Sequence, residues 1–99
     1  MILKKTAIAG TLESSDAQIL IEPGGDAVEI LLTSTVMQQY GRQIKNVVAE
    51  ELRRLEVGPC KVTVNDHGAL DCTLRARVDA AVFRSCEQFD GIPWGGLEK

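Results

Sequence analysis

An apolar stripe in the middle of the chain sets the first constraint. Met37, Tyr40, Ile44, Val47, Val48, Leu52 and Leu55 recur at helical spacing, with Arg42, Lys45, Arg53 and Arg54 on the opposite face. A helix with one apolar face must bury that face against another layer. The segments around it supply that layer, because they alternate with the period of strands. The spacing therefore predicts a helix lying on a sheet, not a helical bundle.

The expected strands are short. Residues 5–13 read as the first and residues 17–22 as the second, with Ile19 and Ile21 on one face. Gly10 inside the first points to a bulge or a close backbone approach. Pro23-Gly24-Gly25-Asp26 is a turn signal. Residues 27–33 form the third strand, with Val28, Ile30 and Leu32 sharing a face. Thr35 with Gln38 three residues on fits a capping box for the helix. Gly41 either lets another backbone come close or is simply a tolerated small residue. Gly58-Pro59 ends the helix. Cys60 to Val64 alternate as a fourth strand, and Asn65-Asp66-His67-Gly68 is a turn.

The stretch from Leu70 to Cys86 carries two patterns. Leu70, Cys72, Leu74, Ala76, Val78, Ala80 and Val82 alternate as a strand would. Leu70, Leu74, Val78, Ala81, Val82 and Ser85 also share one helical stripe. A strand of this length is unusual. Ala, Leu and Arg dominate it, and Asp71 sits where a helix dipole favours an acid. We read it as a helix. The order is then β-β-β-α-β-α: an α+β, two-layer domain with an antiparallel four-stranded sheet and both helices on one side. The other side of the sheet faces solvent or a partner. Neither an internal repeat nor a linker divides the chain, so residues 1–99 are expected to be one domain with an irregular tail from about 88 to 99.

Composition excludes several functions. The net charge of −3 offers no basic surface for nucleic acid or an anionic membrane. Tyr40, Phe83, Phe89 and Trp94 are the only aromatics, too few for a base-stacking platform. Cys60, Cys72 and Cys86 form no C-x-x-C, and with the lone His67 they do not make a metal site by spacing. The residues before Thr6 lack the apolar run of a signal peptide. Reduced thiols in a cytoplasm follow as the expectation. Cys72 and Cys86 read as small buried hydrophobes, and Cys60, after Pro59, as partly exposed.

The chemistry-bearing stretch is Gly10-Thr11-Leu12-Glu13-Ser14-Ser15-Asp16, a polar turn between the first two strands. Ser and Asp suit a turn because they bond nearby amides. The turn also exposes primary hydroxyls. Neither a G-x-S-x-G elbow nor a neighbouring His accompanies them, so no serine nucleophile is assembled. No acid–base pair or metal set supports an enzyme either.

Ala9 to Asp16 resembles the N-terminal motif of the acyl carrier subunit, or gamma chain, of bacterial citrate lyase. Asp66-His67-Gly68-Ala69-Leu70-Asp71-Cys72 followed by Leu74-Arg75-Ala76-Arg77 resembles that family's second motif, and Gly91-Ile92-Pro93 with Trp94 its tail. The resemblance implies a non-catalytic carrier. Its prosthetic group, 2'-(5''-phosphoribosyl)-3'-dephospho-CoA, is joined by a phosphodiester to the serine that follows the Glu, here Ser14. The thiol of that arm holds acetyl or citryl as a thioester. The partners implied are the citrate lyase alpha and beta subunits and a prosthetic-group transferase. Many relatives have Gly where Ser15 stands, which leaves a second hydroxyl beside Ser14. His67, a position that can be Lys in the family, reads as a surface turn residue. Glu13 and Asp16 would repel a phosphate, so they serve the modifying enzyme or the turn itself. Arg42, Lys45, Arg75 and Arg77 are candidates to touch the arm's phosphates or an acidic partner; otherwise they are solvated helix faces. The lone Trp94, beside Pro93, reads either as a docking anchor or as a ring folded back on the sheet. A carrier of malonate decarboxylase or citramalate lyase, and a cofactor-free interaction module, remain as alternatives.

Overall fold

Alternation in the strands and a 3.6-residue stripe in the helices decide the architecture of the computed structural model, which describes residues 2–86. The expected irregular tail and Trp94 lie outside those residues. The elements are β1 (Ala7–Gly10), β2 (Ala17–Pro23), β3 (Val28–Ser34), α1 (Met37–Arg54), β4 (Cys60–Asp66) and α2 (Asp71–Cys86). The order is the expected one, and the fold is α+β in two layers.

The sheet runs β1-β2-β4-β3. Two of its pairings, β1 with β2 and β2 with β4, are antiparallel as expected. The third corrects the all-antiparallel reading, because β3 and β4 are parallel. The cause is α1. Its 18 residues carry the chain about 27 Å back along the sheet, so β4 starts at the end where β3 started. A strand–helix–strand unit of this kind makes a parallel pair. β4 thus lies between β2 and β3, and the short 24–27 turn steps over it. Gly24 N–H donates to the Pro59 carbonyl (3.2 Å) and fastens that step.

One face of the sheet is buried. Ala17, Ile19 and Ile21 of β2 and Cys60, Val62 and Val64 of β4 meet Ile44, Val47, Val48 and Leu52 of α1 and Leu74, Val78, Ala81 and Val82 of α2. Each fully buried Ile or Val is worth about 1.5–3 kcal/mol over exposure, so a one-residue slip of β2 or β4 is strongly disfavoured. In α2 the helical stripe is the buried one, while Cys72 and Ala76 of the strand-like alternation are exposed. The cysteine expectations reverse at two positions. Cys60 is buried at the start of β4, Cys72 is exposed in the first turn of α2, and Cys86 is buried as expected. The outer face carries an apolar row, with Ile8, Leu20, Thr63 and Leu31 in register across all four strands.

β1 is shorter than expected at both ends. The Lys4 and Lys5 amides donate to the Ser85 carbonyl at 3.0 and 3.2 Å instead of entering the sheet. At the other end Gly10 turns the chain with φ +87°. A Cβ there would lie 1.9 Å from the Ala17 carbonyl oxygen, the close backbone approach expected of this glycine. At Gly41 the atoms nearest a Cβ belong to the Met37 side chain and not to another backbone, which favours the small-residue reading. The capping box at Thr35 does not form. Instead the Ser34 hydroxyl accepts from Val36 N–H (3.1 Å) and donates to Asp66 (2.8 Å). At its far end α1 stops before Gly58-Pro59. Glu56 (φ 53°) donates its N–H to the Arg53 carbonyl and Val57 to the Leu52 carbonyl, the paired bonds of a Schellman motif.

The helices also meet through charge. Glu51 of α1 is 2 % exposed and accepts from Arg54, while Arg75 of α2 bonds Glu50 (3.0 Å) and reaches Glu51 (3.4 Å). Arg54 holds the Glu51 carboxyl down at about 2. Burial, with the Glu51 carboxylate beside it, pushes Asp79 up to about 7.

Two expectations follow. Gly10→Ala should cost at least about 2 kcal/mol in a thermal or urea melt, since it adds both the clash and a left-handed non-glycine residue. A melt unchanged from wild type would refute that close approach. For Asp79 the folded pKa lies above the unfolded one. Its proton-linked stability is greatest below the usual carboxylate range and is lost as pH rises through about 7. Asp79→Asn lacks this loss, so its stability advantage should widen between about pH 5 and about pH 8. A constant difference would show that Asp79 is not pushed up.

Candidate functional site

The serine turn is a four-residue turn over 13–16, closed by Asp16 N–H donating to the Glu13 carbonyl (3.2 Å). Ser14 and Ser15 are its central residues. Ser15 has φ 65°, while Ser14 keeps a negative φ, the type II pattern that favours glycine in the second central position. Ser15 therefore holds a backbone conformation that suits glycine better than serine. Both serines are exposed, and neither hydroxyl enters a hydrogen bond among the described residues. Exposure therefore does not distinguish them, but the backbone does. Ser15 is anchored through its N–H to the His67 carbonyl (2.7 Å), and His67 N–H donates back to the Asp16 carbonyl (2.9 Å). These bonds continue the β2–β4 ladder past its last pair, Ala17 with Asp66.

Asp16 is the side-chain anchor of the turn. Its carboxylate accepts from the Thr11 hydroxyl (2.6 Å), from Ala17 N–H (2.7 Å) and from both guanidinium arms of Arg77 on α2 (2.9 and 3.1 Å). The Thr11 oxygen in turn accepts from Glu13 N–H (3.2 Å). The Arg77 guanidinium, aided by the Thr11 hydroxyl, holds the Asp16 carboxyl well below the usual carboxylate range. A paired guanidinium and carboxylate in this fork geometry fix orientation as well as energy.

The second motif is the platform beneath the turn. Asp66 is buried at 1 % exposure. Its carboxylate accepts from the Ser34 hydroxyl (2.8 Å), Gly68 N–H (3.2 Å) and Ala69 N–H (3.0 Å), and its carbonyl from Thr35 N–H (3.2 Å). The turn and the second motif, some fifty residues apart in the chain, therefore form one unit. Between the start of α1 and the β4–α2 loop lies a groove of about 420 Å³, lined by Val36, Tyr40, Gln43, Ile44, Asp66, Gly68, Ala69, Leu70 and Asp71.

Ser14 thus stands at the tip of a braced turn, and Asp16 serves that turn. Arg77 is engaged by Asp16, and Arg75 by Glu50 and Glu51. Arg42 and Lys45 are exposed along α1 beside β3. His67 contributes its backbone to the site. Burial pushes the Cys60 and Cys86 thiols up, which makes them poor acyl handles. Among the described residues no group of three or more His, Cys, Asp or Glu side chains could hold a metal ion. No described helix is long and apolar enough to cross a membrane. Sequence reasoning missed Thr11, Ser34 and Asp66 as framework residues. The D-x-G spacing of Asp66 and Gly68 was the available signal, since Asp bonds amides two and three residues on.

The chain is 49% identical over 98 residues to the citrate lyase acyl carrier protein of Vibrio cholerae serotype O1 (strain M66-2), covering 98% of this chain and 99% of that one. It is 45% identical over 94 residues to the one from Oenococcus oeni, covering 95% and 97%. The chain belongs to the citrate lyase acyl carrier protein family. Residues 4–85 also match the broader acyl carrier family described as malonate decarboxylase delta subunit (MdcD). A Pseudomonas malonate decarboxylase hetero-tetramer, crystallised with malonate, contains a chain of the same fold: TM-score 0.67 at 21% identity, covering 82% of this chain and 84% of that one. As a member of the acyl carrier family, the chain is a carrier rather than a catalytic subunit.

For such a carrier the Asp16–Arg77 pair matters because it fixes the turn to α2. Asp16→Ala should lower stability by about 2 kcal/mol and speed hydrogen exchange at the Ser15 amide. Asp16 has its folded pKa depressed, so its contribution is present above the usual carboxylate range and is lost as pH falls below it. Wild type and Asp16→Ala should therefore converge in stability in acid. A gap that stays open there would refute the pairing.

Proposed function

We propose that this chain is the acyl carrier of a bacterial citrate lyase, and that Ser14 bears its arm through a phosphodiester. The observation that carries the reading is the likeness, at 45–49% identity over almost the full chain, to proteins named for that role in three bacterial genera. The arm we assign is 2'-(5''-phosphoribosyl)-3'-dephospho-CoA, and the partners are the citrate lyase alpha and beta subunits and the transferase that loads the arm. Residues 1–99 would act as one carrier domain, working in the cytoplasm.

The turn fits such an attachment. Its hydroxyl is exposed and takes no hydrogen bond from the described residues. When bound, the arm supplies a thiol that holds acyl groups as thioesters. Ser14 then needs no base of its own, in keeping with a hydroxyl that no described group hydrogen-bonds. Asp16 is neutralised by Arg77, so the acid nearest the backbone of the turn does not oppose a phosphate at full strength. Glu13 remains exposed beside Ser14 and is the group a modifying enzyme would meet first. The anchoring of Ser15 through its backbone, in a conformation that suits glycine, supports Ser14 as the modified residue.

A malonate decarboxylase carrier is the second reading, favoured by the family description over residues 4–85 and by the shared fold. The fold neighbour is only 21% identical, which ranks this reading below citrate lyase.

Offered to the transferase, Ser14→Ala should stay at its unmodified mass and Ser15→Ala should be loaded. A loaded Ser14→Ala would move the attachment to Ser15. If wild type is refused by a transferase that loads the Vibrio cholerae relative, the carrier assignment fails.

A further inference from the structure

We infer that the groove beside the serine turn seats the purine base of the arm. This rests on the proposed attachment at Ser14 and adds a binding site to it.

Position comes first. Ser15 donates to the His67 carbonyl, and the residues on either side of His67, Asp66 and Gly68, line the groove. The groove therefore opens beside the attachment turn. Its volume of about 420 Å³ lies in the usual range for small-molecule sites, about 300–1,000 Å³.

The lining selects a flat, nitrogen-bearing ring. Val36 just before α1, Ile44 from α1 and Ala69 from the loop give apolar walls. Tyr40 and Leu70, at 50% and 70% exposure, stand unburied at the groove. Side chains this apolar are normally covered when they share a concave site. A base gains by stacking on an aromatic ring, whichever base it is. The polar groups match the same ligand. The Gln43 amide donates to the Asp71 carboxylate at 3.3–3.4 Å, long bonds that can be exchanged for better ones. A glutamine amide pairs with the amino group and ring nitrogen of adenine, and a carboxylate accepts from the amino group. Phosphate is disfavoured there. The groove holds Asp66 and Asp71 and no Lys or Arg, so the diphosphate of the arm stays outside. The Asp66 oxygens are already committed to Ser34, Gly68 and Ala69, which leaves Gln43 and Asp71 to read the base.

The test uses the full chain loaded by its transferase, with an intact mass to establish the arm on Ser14. In NMR spectra we expect Overhauser contacts from the adenine ring protons to the Tyr40 ring and Leu70 methyls. Amide shifts should appear at Gln43, Ala69 and Asp71 relative to the unloaded chain. Tyr40→Ala and Leu70→Ala, both at exposed positions, should gain the same mass on loading yet lose these contacts, with narrowed adenine lines. A loaded chain whose shifts stay within residues 11–16, with no adenine contacts, overturns the seat and leaves the carrier reading standing. A chain that gains no mass at Ser14 from a competent transferase overturns both.

Discussion

The buried carboxylate of Asp66 is the joint on which the site depends. Burying a charge is costly unless hydrogen bonds replace its water. Here three donors do so, from two parts of the fold's end: the hydroxyl that closes β3 and two amides of the loop entering α2. The last residue of the central strand thereby fixes the start of both helices. The serine turn rests on the same loop through His67, and so inherits its rigidity from a carboxylate it never touches. Losing Asp66 would leave three half-buried or exposed donors without this acceptor, at less than the roughly 1–3 kcal/mol that a fully buried one costs.

A carrier asks little chemistry of its own residues, and the structure is economical in that sense. The turn offers an exposed hydroxyl, a backbone held in one shape and a neighbouring acid neutralised by Arg77. The resources of the fold go into holding the tip still relative to α2. The Asp16–Arg77 pair does this from the side, the His67 bonds from below, and Gly10 by letting the chain turn tightly against Ala17.

Much of this was legible in the sequence, and the exceptions have physical causes. The α1 stripe and the strand alternation gave the layers and the element order. Composition settled α2, whose periodicity fits two structures, and burial of Ala81 and Ser85 with exposure of Cys72 and Ala76 bears that out. The parallel pair was hidden because residues 24–27 have the length and composition of a hairpin turn, and local sequence does not say which strand lies beside which. Cys60 and Cys72 exchanged roles because one residue of phase at the start of an element decides which way a side chain faces. The Asp16–Arg77 pair spans 61 residues, beyond the reach of any local pattern. Motif resemblance did place the two halves of the site, though not the bonds joining them.

The insertion of β4 between β2 and β3 has a consequence for how the chain folds. β2 and β3 follow each other directly and run in opposite directions, so the nascent chain contains a ready local hairpin that the native sheet forbids. Forming the native order requires that space be kept between them until α1 has folded back and delivered β4. Non-local pairing of this kind slows folding, and the strand edges that wait for it are open to the wrong neighbour. Pro23, which has no N–H to donate to a neighbouring strand, weakens that early hairpin. A turn that reads as a simple reversal thus acts as a spacer, holding a vacancy in the sheet for a strand more than thirty residues away.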